Sequence, residues 1–240
     1  MVSRDRHKPA DYAYTQELSG AQWAWEFLRR NPRYRQEWIA FNEVWQLLEA
    51  AYGRPPNRDF CAWKADPRAW VRAEDCPGSD CRVDQDKVLI ECAMGARWGF
   101  YKFPPDPDDD DPVGAGCLVW REVETDTPLV SPDDHNWLGD DPARVALGFD
   151  LSMPLREQLE RAKRLLQVMQ RQRQKSGRVE TVSIRAQRGT LRLMLQLLDA
   201  ESDGADDRML ESIDMGWRPL LEQAHRLCES GYRRLPFLPP

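Results

Sequence analysis

Residues 149–174 read FDLSMPLREQLERAKRLLQVMQRQRQ. Its apolar residues recur at helical spacing. They are Leu155, Leu159, Ala162, Leu166 and Met169. Ser152 is a suitable cap for such a helix, and Pro154 is tolerated in its first turn because its missing N–H would have no partner there. The segment therefore predicts one long helix with an apolar face.

Three shorter helices are predicted after it, in TLRLMLQLLDAESDGADDRML at residues 190–210 and WRPLLEQAHRLCESGYRRL at residues 217–235. Thr190 and Asp206 are the predicted N-terminal caps, since Thr and Asp side chains accept hydrogen bonds from the first turn. The predicted breaks are Gly204, Gly216 and Gly231. Turns this short force consecutive helices into a small bundle.

Charge is distributed unevenly along the chain. The whole sequence carries a net charge of −6, but residues 155–188 hold ten Lys or Arg against three Glu, a net of +7. Residues 105–150 hold 13 acidic residues against two arginines, a net of −11. A basic block inside an acidic protein indicates a polyanion or an acidic partner.

A basic helix that leads into a trihelical unit is typical of bacterial DNA-binding domains. The predicted phosphate contacts lie at residues 171–188, here called the basic segment: Arg171, Arg173, Lys175, Arg178, Arg185 and Arg188. The predicted base contacts on the last helix are Arg218, Gln223 and Arg226, and Arg233 and Arg234 just beyond it are further predicted DNA contacts. Residues 190–235 hold six basic against nine acidic residues, a net of −3, so the bundle without the basic segment is a poor DNA-binding candidate.

The N-terminal part predicts an aromatic-rich helical hairpin. Ser19 is the expected cap of a first helix, and Asn31-Pro32 separates it from a second. The second helix carries a stripe at helical spacing, which Gly53 ends: Tyr34, Trp38, Phe41, Trp45, Leu48 and Tyr52.

The corner of this hairpin, RRNPRYR at residues 29–35, has two interpretations. Its arginines could read DNA in a helix-turn-helix, or they could be solvated or stacked on tryptophans. They are Arg29, Arg30, Arg33 and Arg35. A helical aromatic stripe is usually core, which favours the second interpretation.

The middle of the chain predicts a small β-containing region. The expected strands are residues 88–92, 98–103 and 117–123, with the loop PPDPDDDDPVGAG at residues 104–116 between them. Asp108–Asp111 could attract a divalent cation, but a solvated acidic loop is favoured because cation sites need ligands that converge from several directions.

No catalytic, metal or cofactor site is predicted. Five of the six cysteines are spaced irregularly, unlike paired zinc knuckles, so free thiols are expected at Cys61, Cys76, Cys81, Cys92 and Cys117. No nucleophile elbow or phosphate-binding loop occurs. With no long apolar run and no apolar leader, the expected location is the cytoplasm, without a membrane partner.

Two parts of the sequence resemble known families. WAWEFLRRNPRYRQEW at residues 23–38, the WGF at residues 98–100 and the loop after it resemble the proteobacterial transcriptional-regulator-like N-terminal domain. Residues 150–166, 191–205 and 231–235 resemble the DNA-binding domain of RovC-type transcription factors of type VI secretion, whose relatives occur in mobile elements. Where those relatives carry a longer basic segment, this chain has only ESIDMGW, residues 211–217.

The resemblance implies a transcriptional activator that binds double-stranded promoter DNA through a helix-turn-helix-like C-terminal domain. It also implies self-association into an oligomer, with RNA polymerase or another regulator as further partners. One alternative is a protein-interaction module, an antiactivator or assembly factor, that docks through the N-terminal hairpin or the acidic loop. Another is a nucleic-acid enzyme that uses the aspartate run.

Taken together, the sequence predicts a mainly helical α+β protein. The expected parts are an N-terminal regulator-like domain at residues 1–130, an acidic connection at 131–149 and a DNA-binding domain at 150–240. The fold is expected to combine an aromatic-rich hairpin, a small β-containing region, a basic helix and a C-terminal trihelical bundle.

Overall fold

The computed structural model describes residues 9–76, 82–101, 103–109, 118–122, 144–179 and 182–240. The chain is mainly helical with a three-stranded antiparallel sheet, so the predicted fold class is confirmed. The described residues form two compact units. The main unit combines the residues up to Glu122 with Ser183–Pro240, and the second unit runs from Arg144 to Val182. The predicted division into domains at residues 1–130 and 150–240 stays a prediction, because it concerns whether these parts fold independently.

The main unit contains seven α-helices among its described residues. They are α1 (Gly20–Leu28), α2 (Pro32–Tyr52), α3 (Phe60–Ala65), α4 (Ile90–Trp98), α6 (Ile184–Ser202), α7 (Asp207–Ile213) and α8 (Trp217–Glu229). Longer 3-10 helices lie at Pro9–Glu17 and Gly231–Phe237, and shorter ones at Pro67–Ala69 and Ala73–Asp75. Helix α5 (Leu155–Lys175) belongs to the second unit.

The predicted N-terminal hairpin is present. Ser19 caps α1 in a reciprocal arrangement with Gln22, in which each side chain bonds the backbone of the other. Asn31 caps α2, and its Oδ1 accepts from the N–H of Tyr34 at 3.1 Å. Helix α2 ends at Gly53, whose φ of +82° is a conformation that a side chain disfavours. The aromatic stripe therefore lies on one continuous helix, as predicted.

The β-region differs from the prediction. Strands β1 (Trp70–Arg72), β2 (Arg82–Asp84) and β3 (Lys87–Leu89) form an antiparallel sheet in the order β1-β3-β2. The predicted strand at 88–92 is wrong after Leu89, because α4 begins at Ile90 and buries Glu91 and Cys92 as a helix.

The other two predicted strands are largely wrong as well. Within the parts of residues 98–103 and 117–123 that the structure describes, the only ladder pairing is a single bridge between Phe100 and Trp120. Gly99 ends α4 with a φ of +89°, which turns the chain before a longer strand can form. Residues 102, 117 and 123 of these predictions lie outside the described residues.

The C-terminal helices α6, α7 and α8 pack on one another as predicted. Two of the predicted helix caps, however, are wrong. Thr190 is not a cap, because α6 begins six residues earlier at Ile184, where the Ser183 Oγ accepts from the N–H of Ala186 at 3.1 Å. Ser152 is not a cap either, because its hydroxyl donates to Asp150 and α5 starts after Pro154. Asp206 does cap α7, and its Oδ1 accepts from the N–H of Met209 at 2.9 Å.

One hydrophobic cluster joins the N-terminal and C-terminal helices of the main unit. Its fully buried members include Trp23 and Phe27 of α1, Leu195 of α6 and Tyr232 of the last 3-10 helix. Gly20 lies directly against the backbone carbonyl of Leu235, so a Cβ at this position would collide with it. Helix α1 therefore forms part of the same core as the C-terminal bundle.

The second unit is built around α5. No residue of this helix is buried. The Gln158 side chain folds back over the start of the helix, where its amide donates to the Asp150 carbonyl at 2.8 Å. At the other end, Gly177 takes a φ of +68°, and the N–H of Arg178 donates to the Arg173 carbonyl at 2.9 Å.

Candidate nucleic-acid interface

Four predicted phosphate contacts lie at the C-terminal end of α5, in the second unit. Arg171, Lys175 and Arg178 are exposed, and no ion pair between described residues involves them. Arg173 is half-buried and donates to the Arg144 carbonyl at 3.2 Å. Cations at the end of a helix also stabilise its dipole, so this position alone does not indicate a ligand.

The other two predicted phosphate contacts, Arg185 and Arg188, lie in the first two turns of α6 in the main unit. Arg185 is exposed and Arg188 is half-buried, and neither forms an ion pair with a described residue. Arg192 follows Arg188 by one turn and is also half-buried. Arg192 is not among the predicted contacts, although its spacing of four from Arg188 places both on one side of a helix.

The predicted base-reading helix, α8, buries Trp217, Leu221, Ala224 and Cys228 and exposes a face of mixed charge. That face carries Arg218, Glu222, Gln223, His225, Arg226 and Glu229. Its two arginines and two glutamates cancel, so the face has little attraction for a polyanion.

Two residues of α8 are already paired within the bundle. The Arg218 Nη2 lies 2.6 Å from the Asp207 Oδ2, and its guanidinium lies over the Trp217 ring. The His225 Nε2 lies 2.9 Å from the Glu201 Oε2. All three predicted base contacts are exposed, but Arg218 is paired with Asp207, whereas Arg226 forms no ion pair with a described residue.

Arg233 and Arg234 lie in the last 3-10 helix and differ in environment. Arg233 is half-buried, and its Nη2 donates to the Arg97 carbonyl while its side chain packs against Gly99. Arg234 is exposed. Arg233 is thus occupied in fixing the C-terminal segment to α4, whereas Arg234 is open to solvent.

The arginines of the N-terminal corner all pair with carboxylates. Arg29 lies 3.5 Å from Glu26, Arg33 lies 2.9 Å from Glu37, and Arg35 lies 2.6 Å from Asp108. The helical hairpin is confirmed, but its arginines are neither simply solvated nor stacked on tryptophans as predicted. Because their charges are compensated within the fold, the DNA-reading alternative for this corner loses its main support.

Arg30 forms the most extensive of these pairs. Its Nε and Nη2 contact the two carboxylate oxygens of Asp199 at 2.7 and 2.8 Å, and its Nη1 lies 2.5 Å from Glu26. The Tyr12 hydroxyl donates to Asp199 at 2.7 Å. This network connects the first 3-10 helix, α1 and α6, and it could not be found by local sequence analysis because Asp199 is 169 residues from Arg30.

The network changes the pKa values of its members. Burial lowers the pKa of Arg30, but the hydrogen bond with Asp199 and the charges of Glu26 and Asp199 outweigh burial, and the pKa is raised well above its usual value. Burial and the Asp199 charge raise the pKa of Tyr12. Arg30 therefore stays cationic and Tyr12 neutral throughout the physiological range.

The cysteines and the acidic loop show no clustered ligands where they are described. Cys76, Cys92 and Cys228 are buried free thiols, Cys61 is exposed, and Cys81 and Cys117 lie outside the described residues. Among described residues, no group of three or more His, Cys, Asp or Glu side chains could hold a metal ion. Asp110 and Asp111 also lie outside the described residues.

Comparison with known proteins supports one of the two resemblances. The model of a family described as a proteobacterial transcriptional regulator-like domain matches residues 5–66, which include the corner at residues 29–35. The match spans about a quarter of the chain and does not extend to the C-terminal helices. No curated protein and no solved structure gave a significant match to the chain.

The matched domain indicates a role in regulation. It covers the first 3-10 helix, α1, α2 and α3, so the regulator-like part supplies Glu26 and Arg30 to the network with Asp199. The structure does not bear on the RovC-type resemblance of the C-terminal part, which stays a prediction. Across the described residues, no helix has the length and apolar character needed to cross a membrane.

Proposed function

We propose that the protein is a transcriptional regulator that binds duplex promoter DNA through the basic segment. The observation that carries this proposal is that most cations of the basic segment are exposed and have no carboxylate partner among the described residues, unlike the arginines of the N-terminal corner. Arg171, Lys175, Arg178 and Arg185 are exposed, and none forms an ion pair with a described residue. Cations of this kind attract phosphates and release counterions from DNA, which supplies affinity without sequence preference.

Sequence preference would come from Gln223 and Arg226 on α8. Both side chain types form bidentate hydrogen bonds with bases in the major groove, Gln with adenine and Arg with guanine. The resemblance of the C-terminal part to RovC-type factors supports an activator of the type VI secretion or mobile-element kind. In that proposal, copies of the chain assemble on the promoter and contact RNA polymerase or another regulator.

The proposal is tested by fluorescence anisotropy with a duplex from the upstream region of the gene and a scrambled duplex of the same composition. If the protein contacts six phosphates, raising the salt concentration from about 50 to 200 mM should weaken binding by about a thousandfold. Arg178→Glu combined with Arg185→Glu should abolish binding to both duplexes. A matched control, Arg54→Glu with Arg72→Glu, makes the same charge change at exposed arginines outside the basic segment and should retain most of the affinity.

Two results would contradict the proposal. Unchanged affinity of the Arg178→Glu, Arg185→Glu protein would mean that the basic segment does not contact DNA. Equal loss in the Arg54→Glu, Arg72→Glu control would mean that only net charge matters. If Gln223→Ala lowers affinity for the upstream duplex but not for the scrambled one, α8 reads sequence.

A second candidate function, a protein-interaction module, is favoured by the apolar face of α5. Leu155, Leu159 and Leu166 lie on this face and are 47, 56 and 39% exposed, respectively. A helix with this much exposed apolar surface is typical of an element that binds a partner. Retention of a regulator protein in a pull-down, lost on Leu159→Glu while duplex binding is unaffected, would support this function over the first.

A further inference from the structure

A cavity of about 420 Å³ lies in the main unit between the first 3-10 helix and α6. The residues that line it are Thr15, Gln16, Glu17, Arg188, Gly189 and Arg192. The volume is within the range of small-molecule sites in proteins. The cavity has a polar wall from the 3-10 helix and two arginines from α6, of which Arg188 is the last residue of the basic segment and Arg192 lies outside it.

The two arginines of this cavity lack the partners that other half-buried arginines of the chain have. Arg188 and Arg192 form no ion pair and no hydrogen bond with any described residue, and the Nε of each is covered by protein. A covered donor without an acceptor is rare in folded proteins and calls for a specific explanation. Arg30 is also half-buried, but its guanidinium is paired with the carboxylates of Glu26 and Asp199.

The chemistry of the lining selects the class of ligand. Guanidinium groups present a planar fork of donors that matches the oxygens of phosphate and carboxylate groups. Two such groups one helical turn apart suit a tetrahedral group that offers oxygens in several directions. Glu17 adds one negative charge, so the wall keeps a net charge of +1 and still favours an anion.

We propose that this cavity binds a phosphate group between Arg188 and Arg192. The phosphate could belong to a free small molecule or to the backbone of duplex DNA, and both sources present the same oxygens. Arg192 is not among the residues assigned to DNA binding above, and phosphate binding is measured without DNA. Arg188 is shared with the basic segment, but because phosphate binding is measured without DNA, failure of this proposal and failure of the proposed function are distinguishable.

Gly189 offers a way to close the cavity without disturbing the fold. It lies inside α6, and a Cβ built on it meets no atom within 4 Å. Leucine is a better helix former than glycine, so Gly189→Leu should leave the protein at least as stable. Its side chain would enter the space between the two arginines and the 3-10 helix and exclude a phosphate group.

The test is calorimetric titration of the full chain with inorganic phosphate, with chloride used to hold the ionic strength constant. Wild type should show saturable binding. Arg192→Gln should weaken it roughly tenfold to a hundredfold, as expected for the loss of a charge-assisted hydrogen bond. Gly189→Leu should abolish it, and Arg208→Gln, which removes an exposed arginine of α7, should leave it unchanged.

Equal binding by wild type and Gly189→Leu, or no saturable binding by wild type, would overturn the proposal. Thermal melts provide a second measurement, because phosphate stabilises proteins in general by exclusion from their surface. Site binding predicts a larger increase of Tm with phosphate in wild type than in Gly189→Leu. Identical increases in both proteins would also count against the site.

Duplex binding by the same variants separates the two sources. If the phosphate belongs to a small molecule, Gly189→Leu loses phosphate binding and keeps its affinity for the upstream duplex. If it belongs to the DNA backbone, Gly189→Leu weakens both, and free phosphate competes with the duplex beyond its effect on ionic strength. Either pattern supports a phosphate site in this cavity. If Gly189→Leu weakens duplex binding but leaves phosphate binding unchanged, the proposal is contradicted.

Discussion

Two arginine-rich stretches of the chain have similar sequences and different environments. At the corner between α1 and α2, each of Arg29, Arg30, Arg33 and Arg35 lies within 3.5 Å of a carboxylate. In the basic segment, Arg171, Lys175, Arg178 and Arg185 form no such pair with described residues. The number of arginines in a stretch therefore does not indicate whether it binds a polyanion, because carboxylates one turn away, such as Glu26 and Glu37, or far along the chain, such as Asp199, can compensate them.

The difference assigns opposite roles to the two stretches. At the corner, Arg30 connects the regulator-like part to Asp199 of α6, so its replacement should change stability. The basic segment contributes little to the packing, so its replacement should change binding. The predictions below test this contrast, from the largest expected effect on the fold to the smallest.

The largest effect is expected from removing residues 1–149. The fragment 150–240 loses Trp23 and Phe27, which are fully buried in the cluster shared with Leu195 and Tyr232. We expect it to lack a cooperative thermal transition, because each buried aromatic contributes several kcal/mol in a core. Circular dichroism of the fragment and of the full chain would measure this. A fragment that melts cooperatively near the full-chain temperature would instead support the predicted boundary at 131–149.

Next in size is Arg30→Ala. It leaves the carboxylate of Asp199, which is 6% exposed, without its bidentate partner. Loss of one member of a buried ion pair destabilises a protein by about 3 kcal/mol or more. Urea denaturation would measure the change. Arg33→Ala, whose side chain is 66% exposed in its pair with Glu37, is the control and should cost less than about 1 kcal/mol.

The Cys228 thiol reports on the same corner. Burial raises its pKa to about 12, so the thiol should be protonated and slow to react with alkylating agents at pH 8. The exposed Cys61 should react first. The Arg30 charge lowers this pKa, so its removal does not promote ionisation of the thiol. Arg30→Ala should nevertheless accelerate labelling of Cys228, because a weakened corner exposes the thiol more often, without affecting Cys61. If Arg30→Ala and Arg33→Ala cost equal stability and leave Cys228 equally protected, the corner does not depend on the Asp199 pair.

A smaller effect is expected for Asn31→Ala. The Asn31 side chain caps α2, and its Nδ2 donates to the Cys228 carbonyl at 2.8 Å. Loss of a cap costs about 1 kcal/mol, and an unsatisfied buried carbonyl adds about as much, so we expect about 2 kcal/mol by urea denaturation. Asp59→Ala removes only the cap of α3 and should cost about half as much. Equal losses would mean that the bond to Cys228 contributes nothing.

The sequence was sufficient for local features and insufficient for pairings over long distances. The Ser19 and Asp206 caps and the stripe of α2 were predicted correctly, because each depends on residues within one or two helical turns. The start of α6 was misplaced at Thr190, since Gly189, a poor helix former, lies inside the helix that Ser183 caps. The Arg30–Asp199 pair and the cavity beside Arg192 depend on the approach of α6 to the first 3-10 helix, which no spacing encodes.

The smallest effect on the fold, and the sharpest test of the contrast, is Arg185→Gln. The exposed side chain forms no ion pair with a described residue, so the free energy of unfolding should change by less than about 0.5 kcal/mol. In duplex binding, the slope of log affinity against log salt should fall by about 0.9, the contribution of one phosphate contact on B-form DNA. Arg54→Gln, an exposed arginine paired with Glu49, should leave that slope unchanged. A slope unaffected by Arg185→Gln, together with a large loss of stability, would reverse the roles assigned to the two arginine-rich stretches.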